Sequence, residues 1–378
     1  MISRRQALIA GILAVLVLAA AIALLVARGH DHRPAHRLLA GDSPSSTSSP
    51  PAASTTTTSP PVPTTTARPA VTAAPKRVAP APSSTYAGPR GGIAFVDGNQ
   101  SPGQGGISVM DPDGSHIRHI ADFEFGRTAS RPDSPWFGGD AFNGLAWNRA
   151  GDLIAAGRDG KYGGGLEVMA PDGSGRHTLV YDSAIEHPSF SPDGRSIVFY
   201  EAGAHLATSG AGSQVVISID GRSQRNLGDA APPGDPAWSP DGAVIAITGD
   251  HVTLVRADNG KLVRSIAIPP NTAASSPAWS PDGRWISFTA TTVGSTPDYT
   301  TDVYKVHPDG TGLTRVTDNH DLSGSASWSP DGSRMVFVRP SQAGDGSSTS
   351  QLWTMAADGS DQRQLTTLAD GAGQPAWG

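Results

Sequence analysis

A five-residue unit ending in a tight turn is written into this chain four times almost unchanged. It reads Phe190-Ser191-Pro192-Asp193-Gly194, Trp238-Ser239-Pro240-Asp241-Gly242, Trp279-Ser280-Pro281-Asp282-Gly283 and Trp328-Ser329-Pro330-Asp331-Gly332. Trp147-Asn148-Arg149-Ala150-Gly151 is a degenerate copy, and Trp377-Gly378 is a copy cut short. The six aromatic positions lie 43, 48, 41, 49 and 49 residues apart. A second motif runs out of phase with the first. It reads Met110-Asp111-Pro112-Asp113-Gly114 and Met169-Ala170-Pro171-Asp172-Gly173, with weaker copies at Asp220-Gly221, Asp258-Asn259-Gly260, Asp309-Gly310 and Asp358-Gly359.

Both motifs are hairpin devices. Proline presets φ at the first turn position, aspartate bonds back to the local backbone, and glycine takes the left-handed conformation. Their flanks are strand-like: Ser196-Ile197-Val198-Phe199-Tyr200 follows one turn, and Asp302-Val303-Tyr304-Lys305-Val306 precedes another. One period of about 45 residues therefore holds four strands, A to D, and four antiparallel strands at that period make a propeller blade. A solenoid is the alternative for repeated β units, but its periods are shorter and its strands parallel. The expected fold is all-β, a six-bladed β-propeller over residues 91–378. Ile93-Ala94-Phe95-Val96 reads as a strand B with no strand A before it, and Gln374-Pro375-Ala376-Trp377 as a strand A with nothing after it. Pairing of these two segments would close the ring and leave no free sheet edge.

Composition narrows the function classes. There is no cysteine, which excludes disulfides, thiolate metal sites, a cysteine nucleophile and a lipid-bearing cysteine. Net charge is −6, but residues 1–90 carry nine Arg/Lys against two Asp, so the remainder is strongly acidic. An acidic folded part argues against nucleic-acid binding, which depends on neutralising phosphates.

The first 90 residues are organised differently. Residues 1–6 are expected to be cytoplasmic. Ala7 to Ala27 is uncharged and, at about 1.5 Å per residue, long enough to cross one hydrocarbon core. Arg4 and Arg5 before it favour a cytoplasmic N-terminus, although Arg28, Arg33 and Arg37 follow it. Ser3-Arg4-Arg5-Gln6-Ala7-Leu8 also resembles a twin-arginine export signal, with Ala7 where phenylalanine is commoner. Ala21-Ile22-Ala23 offers a small-residue cleavage site, but Leu24-Leu25-Val26 continues the apolar run, so an uncleaved anchor is expected. Residues 28–90, rich in Ser, Thr, Pro and Ala, bury too little to offset ordering entropy and are expected to form a disordered stalk. His30, His32 and His36 read as a solvated tail rather than a metal site. The expected placement is thus a single-pass membrane protein, N-terminus inside and propeller extracytoplasmic. Export with signal cleavage is the alternative.

The tandem units resemble the TolB-type propeller, whose repeat is a WD40-like unit bearing the same Trp-Ser-Pro-Asp-Gly motif. The resemblance covers Gly91 to Gly378 and rests on four near-identical copies. It implies an envelope protein that binds proteins or peptides. TolB also carries an N-terminal α/β domain, where this chain has the anchor and stalk, so a role in the Tol–Pal system does not carry over directly. Similar propellers cap prolyl oligopeptidases, but the hydrolase domain those enzymes need is not expected here.

Strand order puts both Pro-Asp-Gly turns on one face and the longer B–C and D–A connections on the other. Variable loops on a rigid scaffold usually carry binding, so that second face is the expected working face. Its candidates are Arg131, Trp136, Phe137 and Tyr299 on the loops. Around the channel mouth the positions three before each strand-A aromatic form a ring: Gly144, His187, Asp235, Ser276, Ser325 and Gln374, with Asn143 beside them. The motif aromatics are expected to pack between blades rather than form a binding stripe. No EF-hand loop, Gly-x-Ser-x-Gly elbow, His-Glu-x-x-His or phosphate loop occurs. No metal and no cofactor is expected. His187, Glu186 and Asp235 are the weak catalytic candidates. The leading expectation is therefore a membrane-tethered binding module for protein or peptide partners of the cell envelope. An envelope hydrolase or lyase working at the channel mouth is the rival, and a purely structural or sensory ectodomain the third reading.

Overall fold

The computed structural model describes residues 91–98, 106–122, 141–159, 164–181, 184–202, 212–228, 231–293, 300–318, 322–342 and 348–378. The segments expected to form the cytoplasmic end, anchor and stalk lie outside them. Among the described residues no helix is long and apolar enough to cross a membrane.

The described residues form six four-stranded antiparallel sheets. The first blade joins Ile93–Asp97, Gly106–Met110 and Arg118–Asp122 to the chain's last strand, Ala372–Trp377. Ile93 pairs with Trp377 and Ala94 with Ala376, so the two ends of the propeller share one sheet, as expected. The other five blades are sequential, with strands A at Ala141–Trp147, Ala184–Phe190, Pro236–Trp238, Thr272–Trp279 and Gly324–Trp328. One connection differs from expectation. Pro340 to Ser350 reads as a loop, yet its flanks are extended strand, with Pro340 paired to Ser350 and Gln342 to Ser348.

Among the described residues, buried hydrophobic side chains gather in six clusters, one at each blade–blade seam. Ala155, Leu166 and Val168 of blade 2 meet Ile185, Ile197 and Phe199 of blade 3. The closing seam is made in the same way, with Phe95 and Ala372 of blade 1 against Val336 and Leu352 of blade 6. Because each sheet lies between two others, both faces of its middle strands are buried. That is why Ile245-Ala246-Ile247 and Ile197-Val198-Phe199 are unbroken apolar runs instead of alternating ones.

The Ser-Pro-Asp-Gly turns are self-satisfied. In blade 5 the Ser280 hydroxyl donates to Asp282 at 2.6 Å and accepts the Trp285 amide at 2.9 Å. Asp282 also accepts the Arg284 amide at 3.0 Å. The Gly283 amide donates to the Ser280 carbonyl at 2.9 Å, with Gly283 at φ 70°. The same hydroxyl-to-carboxylate bond recurs from Ser191 to Asp193, Ser239 to Asp241 and Ser329 to Asp331, each at 2.6 Å. Each pair draws its aspartate below the ordinary carboxylate range, the serine hydroxyl being the largest cause.

Candidate functional site

Each strand A faces the central axis and, in five blades, it is bent there by a bulge. In blade 3, Glu186 pairs with Tyr200 and Ser189 with Val198, so His187 and Pro188 together oppose Phe199. Ser276 and Pro277 likewise oppose Phe288, Ser325 and Ala326 oppose Phe337, and Gln374 and Pro375 oppose Phe95. The four opposing phenylalanines are essentially fully buried. Proline is tolerated because a bulge residue needs no ladder N–H. The first bulge residue is left-handed every time: His187 at φ 49°, Ser276 at 50°, Ser325 at 51° and Gln374 at 50°. Gly144 in blade 2 sits at 110°. These are the ring positions named from the repeat, and positive φ at four non-glycine residues is a conformation the surrounding sheet must enforce.

The bulges bring the ring together as the neck of a channel. His187 Nε2 stands 3.5 Å from Asp235 Oδ1, across the seam between blades 3 and 4. The Ser276 amide donates to Asp235 Oδ2 at 2.7 Å, and Ser276 Oγ lies 3.5 Å from Ser325 Oγ. The Ser325 amide donates to Thr289 Oγ1 at 2.8 Å. Gly144 completes the circle because nothing larger fits: a Cβ there would come within 2.9 Å of the His187 Cα. Asn143 is half-buried one residue earlier, and Glu186 is half-buried beside His187. Arg131, Trp136, Phe137 and Tyr299 lie outside the described residues.

Asp235 stands between His187 and the Ser276 backbone amide. The hydroxyl of Ser276 is directed to another serine rather than to an imidazole, so among the described residues of the neck no nucleophile–base pair of the serine-hydrolase kind is assembled. Among the described residues no group of three His, Asp or Glu side chains converges in a way that would hold a metal ion.

From the neck a cavity of about 880 Å³ runs along strand A to the A–B turns. The expected working face was the opposite one, but this described concavity lies on the Ser-Pro-Asp-Gly side. Its wall carries Pro188, Pro236, Pro277 and Pro375, then small residues such as Ala237 and Ala278, then the motif aromatics. The aromatics do pack between blades, with Phe190 and Trp328 at most 8% exposed. Trp147, Trp238, Trp279 and Trp377 are only half-buried, however, and all six line the cavity, so they serve both purposes. Sequence spacing identified the ring but not this wall, because spacing does not say which edge of a packed indole stays exposed.

Polar atoms along the wall are largely occupied. The indole N–H groups of Trp238, Trp279, Trp328 and Trp377 donate to the Gly242, Ala237 and Gly91 carbonyls and the Ser287 hydroxyl. The serine hydroxyls of four blades are held by their aspartates. What the cavity offers a guest is chiefly apolar area, a polar neck and the rim.

No family model matches the chain. The Tol-Pal system protein TolB of Gluconobacter oxydans is 35% identical over 109 residues, which is 28% of this chain and 23% of that protein. The crystal structure of TolB from Acinetobacter baumannii is similar over 76% of this chain and 66% of its own, with a TM-score of 0.58 at 18% identity. A protein assigned as TolB from Agrobacterium tumefaciens has a TM-score of 0.51 at 18% identity, covering 73% of this chain and 88% of that one. The chain thus spans about a quarter of the length of the curated TolB and just under two thirds of the Acinetobacter one. The fold is a TolB-like six-bladed propeller.

Proposed function

We propose that this chain is a membrane-tethered, extracytoplasmic binding module whose channel receives a segment of a protein partner in the cell envelope. The cavity of about 880 Å³ carries the reading. It has the size of a ligand site, and its apolar walls have their polar atoms already engaged, which suits peptide side chains better than a hydroxyl-rich glycan. The local identity with TolB, a Tol-Pal system protein by name, supports an envelope setting. The uncharged run from Ala7 to Ala27 supports a tether, and residues 28–90 support a spacer between the two.

The placement of Asp235 between His187 and Ser276 favours binding over turnover. A catalytic reading would need loss of a measured turnover in His187→Ala with ligand capture intact.

The test is capture from solubilised envelope by the full chain, compared with Pro277→Trp. That residue lines the cavity and makes no ladder bond, so the variant fills the channel without removing a sheet contact. A partner held by the native chain and lost from the filled one supports the proposal. Equal capture by both sinks it. Deletion of residues 7–27 should release the propeller from the membrane fraction.

A further inference from the structure

The channel is built from near-identical blades, so a segment entering it meets almost the same wall in every direction. Two blades break this equivalence at the rim: blade 1, which presents Gly378 and Gly91 there, and blade 2. Blades 3 to 6 each place a proline after the motif serine (Pro192, Pro240, Pro281 and Pro330), and blade 2 places Arg149 there instead. Arg149 lines the cavity, is exposed, and makes no hydrogen bond or ion pair. The other charged side chains among the described lining residues are engaged. Arg334 bonds to Asp361 and Thr354, and Asp331 accepts the hydroxyls of Ser329 and Ser333. Blades 3 to 6 also each carry a turn carboxylate, Asp193, Asp241, Asp282 and Asp331, where blade 2 has Ala150. Among the described residues that line the cavity, Arg149 is thus a cation without a partner, in a sector whose turn carboxylate, Asp152, sits two positions further along and is held by the Asn148 amide.

Resting on the channel reading above, we propose that Arg149 selects a partner segment bearing a single carboxylate and fixes its rotational register in the pseudo-sixfold channel. The carboxylate, from an Asp or Glu side chain or from a chain terminus, pairs with the guanidinium over blade 2, and apolar side chains follow into the cavity. Segments with several acids are disfavoured by Asp331, the turn carboxylate that lines the cavity. Charge complementarity of this kind supplies specificity more than affinity.

Affinity selection from two random octapeptide libraries, one C-terminally amidated and one free-acid, tests this with the full chain, Arg149→Pro, Arg149→Glu and Pro277→Trp. Arg149→Pro installs the residue four other blades carry, and an unchanged thermal melt is the check that it folds. The native chain should enrich peptides with one carboxylate. Enrichment from the amidated library assigns it to a side chain, and enrichment confined to the free-acid library assigns it to the terminus. Selected peptides should bind Arg149→Pro roughly fivefold more weakly at low salt, and Arg149→Glu should turn selection toward Lys and Arg. If acidic peptides bind Arg149→Pro equally well yet fail to bind Pro277→Trp, the inference is wrong and the channel reading stands. Binding that survives Pro277→Trp, or no enrichment from either library, overturns both.

Discussion

Blades 3 to 6 and blade 2 solve one problem with different chemistry. In the four regular blades a serine hydroxyl accepts a hydrogen bond from the amide that follows the turn and donates one to an aspartate two residues on. In blade 2 Asn148 takes the serine's place. Its side-chain oxygen accepts the Asp152 and Leu153 amides at 3.1 and 3.0 Å, and its amide donates to Asp152 at 2.6 Å. The carboxylate has moved from the third position of the turn to the fifth, which releases position 149 from proline and position 150 from aspartate. Blade 2 also holds Gly157 where the other bulged blades have a buried phenylalanine, and a Cβ there would meet the Ile185 carbonyl at 2.7 Å. Its Trp147 indole N–H is buried without a partner, while Gly92 and Gly378 press on the ring. Divergence is thus concentrated beside the closing blade, where Arg149 is the one cationic side chain without a partner among the described residues lining the channel.

Removing Ala372 to Gly378 attacks the closing blade itself. It strips the innermost strand from Ile93–Asp97 and uncovers Ala94 and Phe95, both fully buried. The expected outcome is loss of a cooperative unfolding transition by circular dichroism, and a sharp native-like melt would show that closure is dispensable.

Next in size, Phe288→Ala should cost about 3–5 kcal/mol by guanidinium titration, as for other fully buried aromatics. A cost below about 1 kcal/mol would mean that bulge phenylalanines are not what separates the regular blades from blade 2.

The two turn solutions can be weighed directly. Asn148→Ala removes three side-chain bonds and should destabilise by about 2 kcal/mol, against about 1 kcal/mol for Ser280→Ala. Equal losses would erase the distinction.

Acid should separate them further. Folding lowers the pKa of Asp193, Asp241, Asp282 and Asp331, so the folded chain binds fewer protons there than the unfolded chain. Their stabilisation is complete above the ordinary aspartate value of about 3.9 and fades as pH falls through the lowered folded values. Amides held by the motif serines, such as Val244 and Trp285, should lose exchange protection below about pH 4 before Leu153, which an uncharged asparagine oxygen holds. Simultaneous loss at all three would contradict this.

The smallest effect lies in blade 1, with the opposite sign. Burial, the largest single influence on His119, acts downward, yet hydrogen bonds to Asp97 and Asp122 raise its pKa overall. Its contribution is present below the ordinary imidazole value of about 6.5 and is lost as pH rises through the raised one. His119→Gln should flatten a shallow decline in stability between about pH 6 and 8 by less than about 1 kcal/mol, because the side chain is 44% exposed. A decline of equal slope in the variant would assign it elsewhere.

Most of the fold was legible in the order of residues. The period counts the blades, the turn chemistry sets each hairpin, and the incomplete units at Ile93 and Trp377 state how the ring must close, because these are local properties of backbone conformation repeated at a fixed interval. Even the neck was legible, since Gly144, His187, Asp235, Ser276, Ser325 and Gln374 occupy one register of one strand. Three-dimensional packing alone decided the rest. It bent strand A at a left-handed residue, left one edge of each motif aromatic open to the channel, and hollowed the disc toward the Pro-Asp-Gly turns. It also left Arg149 unpaired, which depends on six blades meeting around an axis, and no single repeat contains that axis.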